Sequence, residues 1–281
     1  MRRYLRGYSM RLGRVLSLGA LVWHFGAVTG TSRPDAVRTG TAVVCLHGSE
    51  RTLLRSTDRL PEASGVVRVE RTGGTTNIDV EVDSMKPASL FGGDYNTYVL
   101  WAVPPRGAAE NLGEISLDGG RGTLHGTTQA TSFAVLVTAE PHFLVSTPSA
   151  FVILQNKPGS GASEISYPVL QGVYNFNRSS LADSKEAKGK VHTDVRQAFT
   201  AVRLAQRAGA PRLAGDEYAQ AERALDRTLS LWHQHVDHNE IAAQARNTVR
   251  LAVAAQRLAT DRGLQGTRLE TEGSGGGNEA R

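Results

Sequence analysis

The densest group of side chains able to do chemistry lies in LWHQHVDHNE, which holds His233, His235, Asp237 and His238. Imidazoles and a carboxylate at short spacing are the raw material of a metal site. On a helix, His233 and His235 point about 200° apart and cannot chelate together. His235 and His238 share a face and would supply two ligands. A zinc site wants three or four. The stretch therefore reads as a polar turn between two helices. No metal site is assigned, and His235 and His238 are the residues from which one would have to be built.

The other reactive side chains are scattered. Cys45 and His47 share a strand face in TAVVCLH, where a thiol and a base could cooperate, but the run reads first as a buried apolar strand. Glu140-Pro141 reads as a strand end, because proline stops the ladder. Asp94, Glu110 and Glu114 could line a cation site at loop ends, with nothing in their spacing to select calcium. His125 and His142 read as isolated surface or half-buried residues. G-x-S-x-G, the P-loop and H-E-x-x-H do not occur, and GSGAS and GSGGG lack the strand-to-helix context of a phosphate cradle. No catalytic or cofactor-binding residue and no cofactor is assigned.

The elements that would position these residues fall into two parts. Residues 40–155 punctuate like an all-β domain, with TAVVCLH, GVVRVER, NIDVEV, TYVLWAV, GTLHGTT, SFAVLVTAE and AFVILQ separated by Gly, Pro, Asn and Asp. Ile78, Val80 and Val82 alternate with Asp79, Glu81 and Asp83, which predicts a strand with one wet face. Phe133 to Val137 predicts a central strand. The spacing favours an antiparallel, immunoglobulin-like sandwich, with Tyr98 and Trp101 filling the space between its sheets. Residues 156–190 read as a linker, with ISYPVLQGVYNF either an edge strand, where Pro168 is tolerated, or a segment docked along the sandwich.

Residues 191–262 predict an all-α three-helix unit. Val195, Ala198, Phe199, Val202 and Ala205 make one apolar stripe. Tyr218, Ala221, Leu225, Thr228 and Trp232 make a second, and Ile241, Ala245, Thr248, Ala252, Ala255 and Ala259 a third. Gly209-Ala210-Pro211 breaks the first helix from the second, and Asp237-His238-Asn239 the second from the third, with Asn239 as N-cap. Alanine seams bury little area, so the unit should gain from docking or self-association. Residues 263–281 lack periodicity and are expected to be disordered.

The N-terminus points to a compartment. Five of the 32 Lys and Arg residues lie in the first thirty residues, which carry no acidic residue; the remaining 27 equal the 27 acidic residues. The foldable part has no net charge, so the basic stripe of a nucleic-acid binder is missing. Arg2, Arg3, Arg6, Arg11 and Arg14 precede the apolar run from Val15 to Val28, with Val28 and Gly30 at cleavage positions. Residues 1–30 thus read as a signal peptide, and a retained one would tether the chain to a membrane. One cysteine excludes an intrachain disulfide.

Tyr98 to Leu154 is the most distinctive stretch. A YxLW strand precedes a Pro/Gly turn and NLGE, then a Gly-rich turn leads into GTL. An apolar strand follows that ends in TAEP, and a Pro-Ser precedes the last strand. This order resembles the extracytoplasmic C-terminal β-sandwich of anti-sigma-K factors. It also resembles the N-terminal domain of certain acidobacterial envelope proteins related to outer membrane protein A. AQRAGAPRLAGDEYAQAERALDRT is similar to the Ala-rich helical domain that follows the sandwich in some of them. The resemblance implies an extracytoplasmic sandwich without catalytic residues. It does not extend to sigma binding, since only about forty residues precede the first expected strand, nor to peptidoglycan binding, since the chain ends in a Gly-rich tail. The expectation is a non-enzymatic, exported periplasmic or cell-envelope protein acting as an interaction or scaffold module. Its partner would be an envelope protein or a second copy bound through the Ala-rich helices. The alternatives are an envelope sensor related to anti-sigma factors, or a metal-binding protein or hydrolase using His233–His238.

Overall fold

The computed structural model describes residues 36–41, 43–44, 48–92, 94–157, 164–170 and 192–275. The expected signal peptide, Cys45 and His47 lie outside them.

Among the described residues eleven strands precede four α-helices: β1 (Ala36–Thr41), β2 (Val43–Val44), β3 (Gly48–Ser56), β4 (Ser64–Thr72), β5 (Thr75–Asp83), β6 (Thr97–Val103), β7 (Glu110–Ile115), β8 (Gly122–Thr128), β9 (Ser132–Glu140), β10 (Val152–Asn156) and β11 (Glu164–Val169). Eight of them form one antiparallel path, β7-β6-β9-β10-β3-β4-β5-β8, with β2 added to β9. The path is nearly barrel-shaped, because its end strands β7 and β8 lie against each other. That seam is joined by side chains: Thr128 donates to Glu110 Oε2 at 2.6 Å. Glycine makes the closeness possible. A Cβ on Gly122 would stand 2.7 Å from Ile115 Cγ2 and 2.8 Å from the Ser116 carbonyl, and one on Gly126 3.0 Å from Leu112 Cβ.

Period-two alternation decides what faces inward. Ile78, Val80 and Val82 are buried as expected, while Asp79 and Glu81 are exposed. They meet Val67, Val69, Tyr98, Leu100, Phe133, Val135 and Val137 in the central core. β6 and β9 are buried on both faces, which explains their continuous apolar sequence. Tyr98 faces inward, but Trp101 faces the opposite side with Val99, Val103, Ala134 and Leu136. A second layer covers that outer face. Among the described residues β1 and β11 pair only with each other, Pro168 opposite Val37, and Ile165, Tyr167 and Val169 pack onto the Trp101 cluster. Of the segment expected as an edge strand or a docked piece, residues 165–170 are described; they lie in the second layer and do not join the edge of the main sheet.

The helical region has four helices, three long and one short: α1 (Thr193–Arg207), α2 (Ala210–Leu213), α3 (Gly215–His233) and α4 (His238–Gly275). Gly209 ends the first turn-over in the left-handed conformation, φ 83°, and Pro211 sits in the first turn of α2. The second break falls where the sequence puts it, but its cap is Asp237, not Asn239. Asp237 Oδ1 accepts from the Asn239 amide at 2.9 Å. The three predicted stripes form one core, and Thr228 and Thr248 share a buried hydroxyl contact of 2.9 Å between α3 and α4. α4 runs to Gly275, well into the segment expected to be disordered. A helix already nucleated propagates through Leu, Gln, Arg and Glu even where no apolar stripe requires it.

Candidate functional site

Polar side chains concentrate where the helices meet the sheet. The loop between β9 and β10 leaves the sheet at Glu140-Pro141 and carries Phe143 and Leu144 into the helical core, with His142 buried beside them in the chain. Phe143 packs among the apolar residues of α1 and α4, and the Arg246 guanidinium lies 4.2 Å from its ring centroid. Gln197 of α1 anchors the loop from below: its Oε1 accepts from the Phe143 amide at 2.9 Å, and its Nε2 donates to Glu114 Oε1 at 2.7 Å. Asn96 joins the same seam, donating through Nδ2 to the Pro141 carbonyl at 2.9 Å and to Thr200 Oγ1 of α1 at 3.1 Å.

An ion-pair network closes one side. Arg246 of α4 donates to Glu114 Oε2 of β7 at 2.6 Å and lies 3.3 Å from Asp194 Oδ1 of α1. The Glu114 side chain is 7% exposed, which removes most of the solvent screening that weakens surface pairs. Burial lowers the Arg246 proton affinity, but Glu114 and Asp194 outweigh it and the net shift is upward. Burial likewise pushes the Asp194 carboxyl up, and His192 and Arg246 more than reverse this, so it rests below the usual carboxylate range. His192 Nδ1 is 3.2 Å from Asp194 Oδ2, and its ring meets that of His238 edge-on at 3.9 Å. The starts of α1 and α4 therefore lie side by side.

A second polar chain sits under the outer layer. Trp101 Nε1 donates to Thr138 Oγ1 at 2.8 Å, and the Thr138 hydroxyl donates to Glu140 Oε1 at 2.5 Å. The Ser149 amide donates to the same oxygen at 2.7 Å. Burial pushes the Glu140 carboxyl up to about 8, against the lowering effect of the Ser149 and Thr138 hydrogen bonds. His142 is also fully enclosed, and burial first, then Arg257, press its imidazole down to about 3.

The sequence-singled residues are dispersed differently. His235 is exposed with φ 52° in the turn after α3, His238 opens α4, and Asp237 is occupied as the cap. Among the described residues no three His, Cys, Asp or Glu side chains are placed to hold a metal ion. Asp94, Glu110 and Glu114 do not converge: Asp94 is fully buried, Glu110 serves the β7–β8 seam, and Glu114 serves Arg246. His125 is exposed and paired with Asp79 at 2.8 Å. His142, read as a surface or half-buried residue, is 3% exposed, because helices far along the chain cover it. Glu140 ends β9 as expected. Sequence reasoning missed Gln197, Arg246, Asp194 and His192. Gln197, beside the Val195-Ala198 stripe, is a polar residue on an apolar face and is the one signal that could have pointed there.

What the arrangement does chemically is join: most of its donors and acceptors pair across β7, the β9–β10 loop, α1 and α4, while Asn96 Oδ1, His142 Nδ1 and His192 Nδ1 are buried without a hydrogen-bond partner. No known protein family, curated protein or solved structure matches the chain.

Proposed function

We infer that this chain is an exported, non-enzymatic protein of a bacterial cell envelope, working as an interaction or scaffold module. The observation that carries this reading is the junction. Buried polar and ionic groups are committed to holding a helical unit against a sheet, which suits a rigid display platform. The ordered charge and apolarity of the first thirty residues support export. Two walls facing each other across the core, β3-β4-β5-β8 and β7-β6-β9-β10, support describing the β-unit as an immunoglobulin-like sandwich with joined edges. The three long helices support a three-helix unit in which α2 belongs to a turn.

Partner contacts fall on exposed surfaces. Alanines 198, 205, 245, 252, 255 and 259 are spent inside the helical core, so self-association would use the far end of α4, where Leu264 is 55% exposed. Nucleic acid is not a proposed partner. A sensor role is the second reading, favoured by the resemblance of the stretch from Tyr98 to Leu154 to anti-sigma-K sandwiches; a signalling partner encoded nearby would support it.

Fractionating the host, with mass spectrometry of the N-terminus and crosslinking in each fraction, tests the proposal. It expects the chain in the envelope, either trimmed near Thr31 or membrane-tethered, crosslinked to an envelope protein or to itself. Full-length chain confined to the cytosol would remove it.

A further inference from the structure

The β3–β4, β5–β6 and β9–β10 loops lie at one end of the sheet, where they seat a cation on an aromatic surface. Ala88–Phe91 form a 3₁₀ turn between β5 and β6. Ala88 belongs to the core, Phe91 is half-buried, and Leu90, 68% exposed, is the most exposed large apolar side chain among the described residues. The Phe151 ring, just before β10, lies 4.9 Å from the Phe91 ring and 4.7 Å from the Tyr95 ring between centroids. The Arg59 guanidinium, from the β3–β4 loop, sits 4.0 Å over Phe151.

These side chains are fixed from behind. Phe91 and Phe151 pack on the central core. The Leu90 amide donates to the Pro87 carbonyl at 3.0 Å, and the Tyr98 phenol donates to the Lys86 carbonyl at 2.5 Å, which pins the entry to the turn. Thr57 holds the β3–β4 loop against β10. Its amide donates to the Ile153 carbonyl at 2.9 Å and its hydroxyl to the Val152 carbonyl at 2.8 Å. That clamp sets Arg59 above Phe151. A surface ordered before a partner arrives loses little entropy on binding. Arginine and large rings are also where binding energy concentrates at protein interfaces.

Charge selects the partner. Arg59 is exposed, and among the described residues no carboxylate forms an ion pair with it. A guanidinium stacked on a ring keeps its in-plane N–H donors free, and these match a carboxylate. The surroundings do not make a basic field: Asp58 adjoins Arg59 in the chain, and Lys86 is paired with Glu62 at 3.1 Å. One cation in a neutral setting suits a single carboxylate on a peptide rather than the continuous negative charge of a lipid surface. We propose that Leu90, Phe91, Phe151 and Arg59 dock a segment of a partner protein in which an apolar side chain stands beside a carboxylate. The apolar side chain covers Leu90 and the exposed parts of the two phenylalanines, and the carboxylate accepts from the guanidinium. The docking rests on the interaction-module reading for its purpose.

The probe is N-acetyl-Leu-Phe with a free C-terminal carboxylate, compared with its C-terminal amide, in two-dimensional NMR titrations of the purified full chain. Both are taken to millimolar concentration, far above the dissociation constant that a formed site gives a ligand of this size. The free acid should give saturable shifts at residues 57–60, 88–92 and 150–152 while the middle of β4 and β5 stays still. It should bind at least about tenfold more tightly than the amide. Arg59→Leu should bind acid and amide alike, and Leu90→Ser should weaken both and keep their ratio; unchanged β4 and β5 signals show that each variant is folded. No saturable shift at these residues, equal binding of acid and amide by the wild type, or an acid preference that survives Arg59→Leu would overturn the proposal. Sedimentation with phosphatidylglycerol vesicles that is lost in Leu90→Ser would also overturn it, by assigning the patch to a membrane. A cytosolic location of the chain removes the envelope reading and not the patch, and an absent titration removes the patch and not the envelope reading.

Discussion

Arg246 is the residue on which most of the junction converges. Its guanidinium serves Glu114, Asp194 and the face of Phe143, so its loss strands a carboxylate that is 7% exposed. The Arg246 side chain is 35% exposed and Glu114 keeps donors in Thr97 and Gln197, so removing the guanidinium costs about 1–3 kcal/mol, below the range of a fully buried pair. Arg246→Ala should therefore lower the urea midpoint strongly, whereas Arg246→Met with Glu114→Gln should recover much of the loss; equal effects would show that the charge pairing is immaterial. His142 and Glu140 act on stability with opposite signs. The lowered imidazole gives stability that is complete above about 6.5 and is lost as pH falls toward about 3, and His142→Phe should flatten that acid arm. The raised carboxyl gives stability that is lost as pH rises from about 4.5 to about 8. Little of this was legible in the sequence. Glu140-Pro141 announced a strand end, but its burial depends on Ser149 and β11. Glu114 looked like one of three scattered acids, since nothing near it in the chain names Arg246.

Elements were legible in proportion to how one-sided their surroundings are. NIDVEV, with one wet face, and the helical stripes over Val195–Ala205 and Ile241–Ala259 could be read directly, because burial on one face writes a period into the sequence. β7 is half-buried along most of its length and ENLGEI carries no alternation, so it was seen only as a motif. β3, GSERTLLRS, was hidden by polar residues on both sides of Leu53 and Leu54. Trp101 was assigned to the wrong face because a second layer, β1 and β11, cannot be foreseen from β6 alone. The β7–β8 seam makes its own prediction. Gly122→Val places side-chain atoms against Ile115 and the Ser116 carbonyl, and overpacking of this kind costs about 1–3 kcal/mol. The variant should unfold at lower urea, with β8 amides exchanging faster than those of β4. An unchanged midpoint would mean that the seam is looser than described. The distal part of α4 behaves differently: exposed from Leu264 through Arg268, it should exchange much faster than the stretch packed on α1, unless a second copy covers it.

At the scale of the whole molecule, the sheet and the helices are two cores bridged by a loop that belongs to one and is buried in the other. Phe143 leaves the sheet and packs with Val195, Phe199 and Val249 in the helical core. The Ala-rich seams bury little area for their length, so this docking supplies what the helices lack alone. A protein built this way presents one body rather than two. The direct test is equilibrium urea unfolding of a Trp23→Phe, Trp232→Phe background, which leaves Trp101 as the one tryptophan of the three, followed at once by far-ultraviolet circular dichroism for the helices and by Trp101 fluorescence for the sheet. The two curves should share one midpoint, and Phe143→Ala should shift both down together, by about 3 kcal/mol or more. Two separate transitions, with the helical one untouched by Phe143→Ala, would contradict the coupling of the two cores.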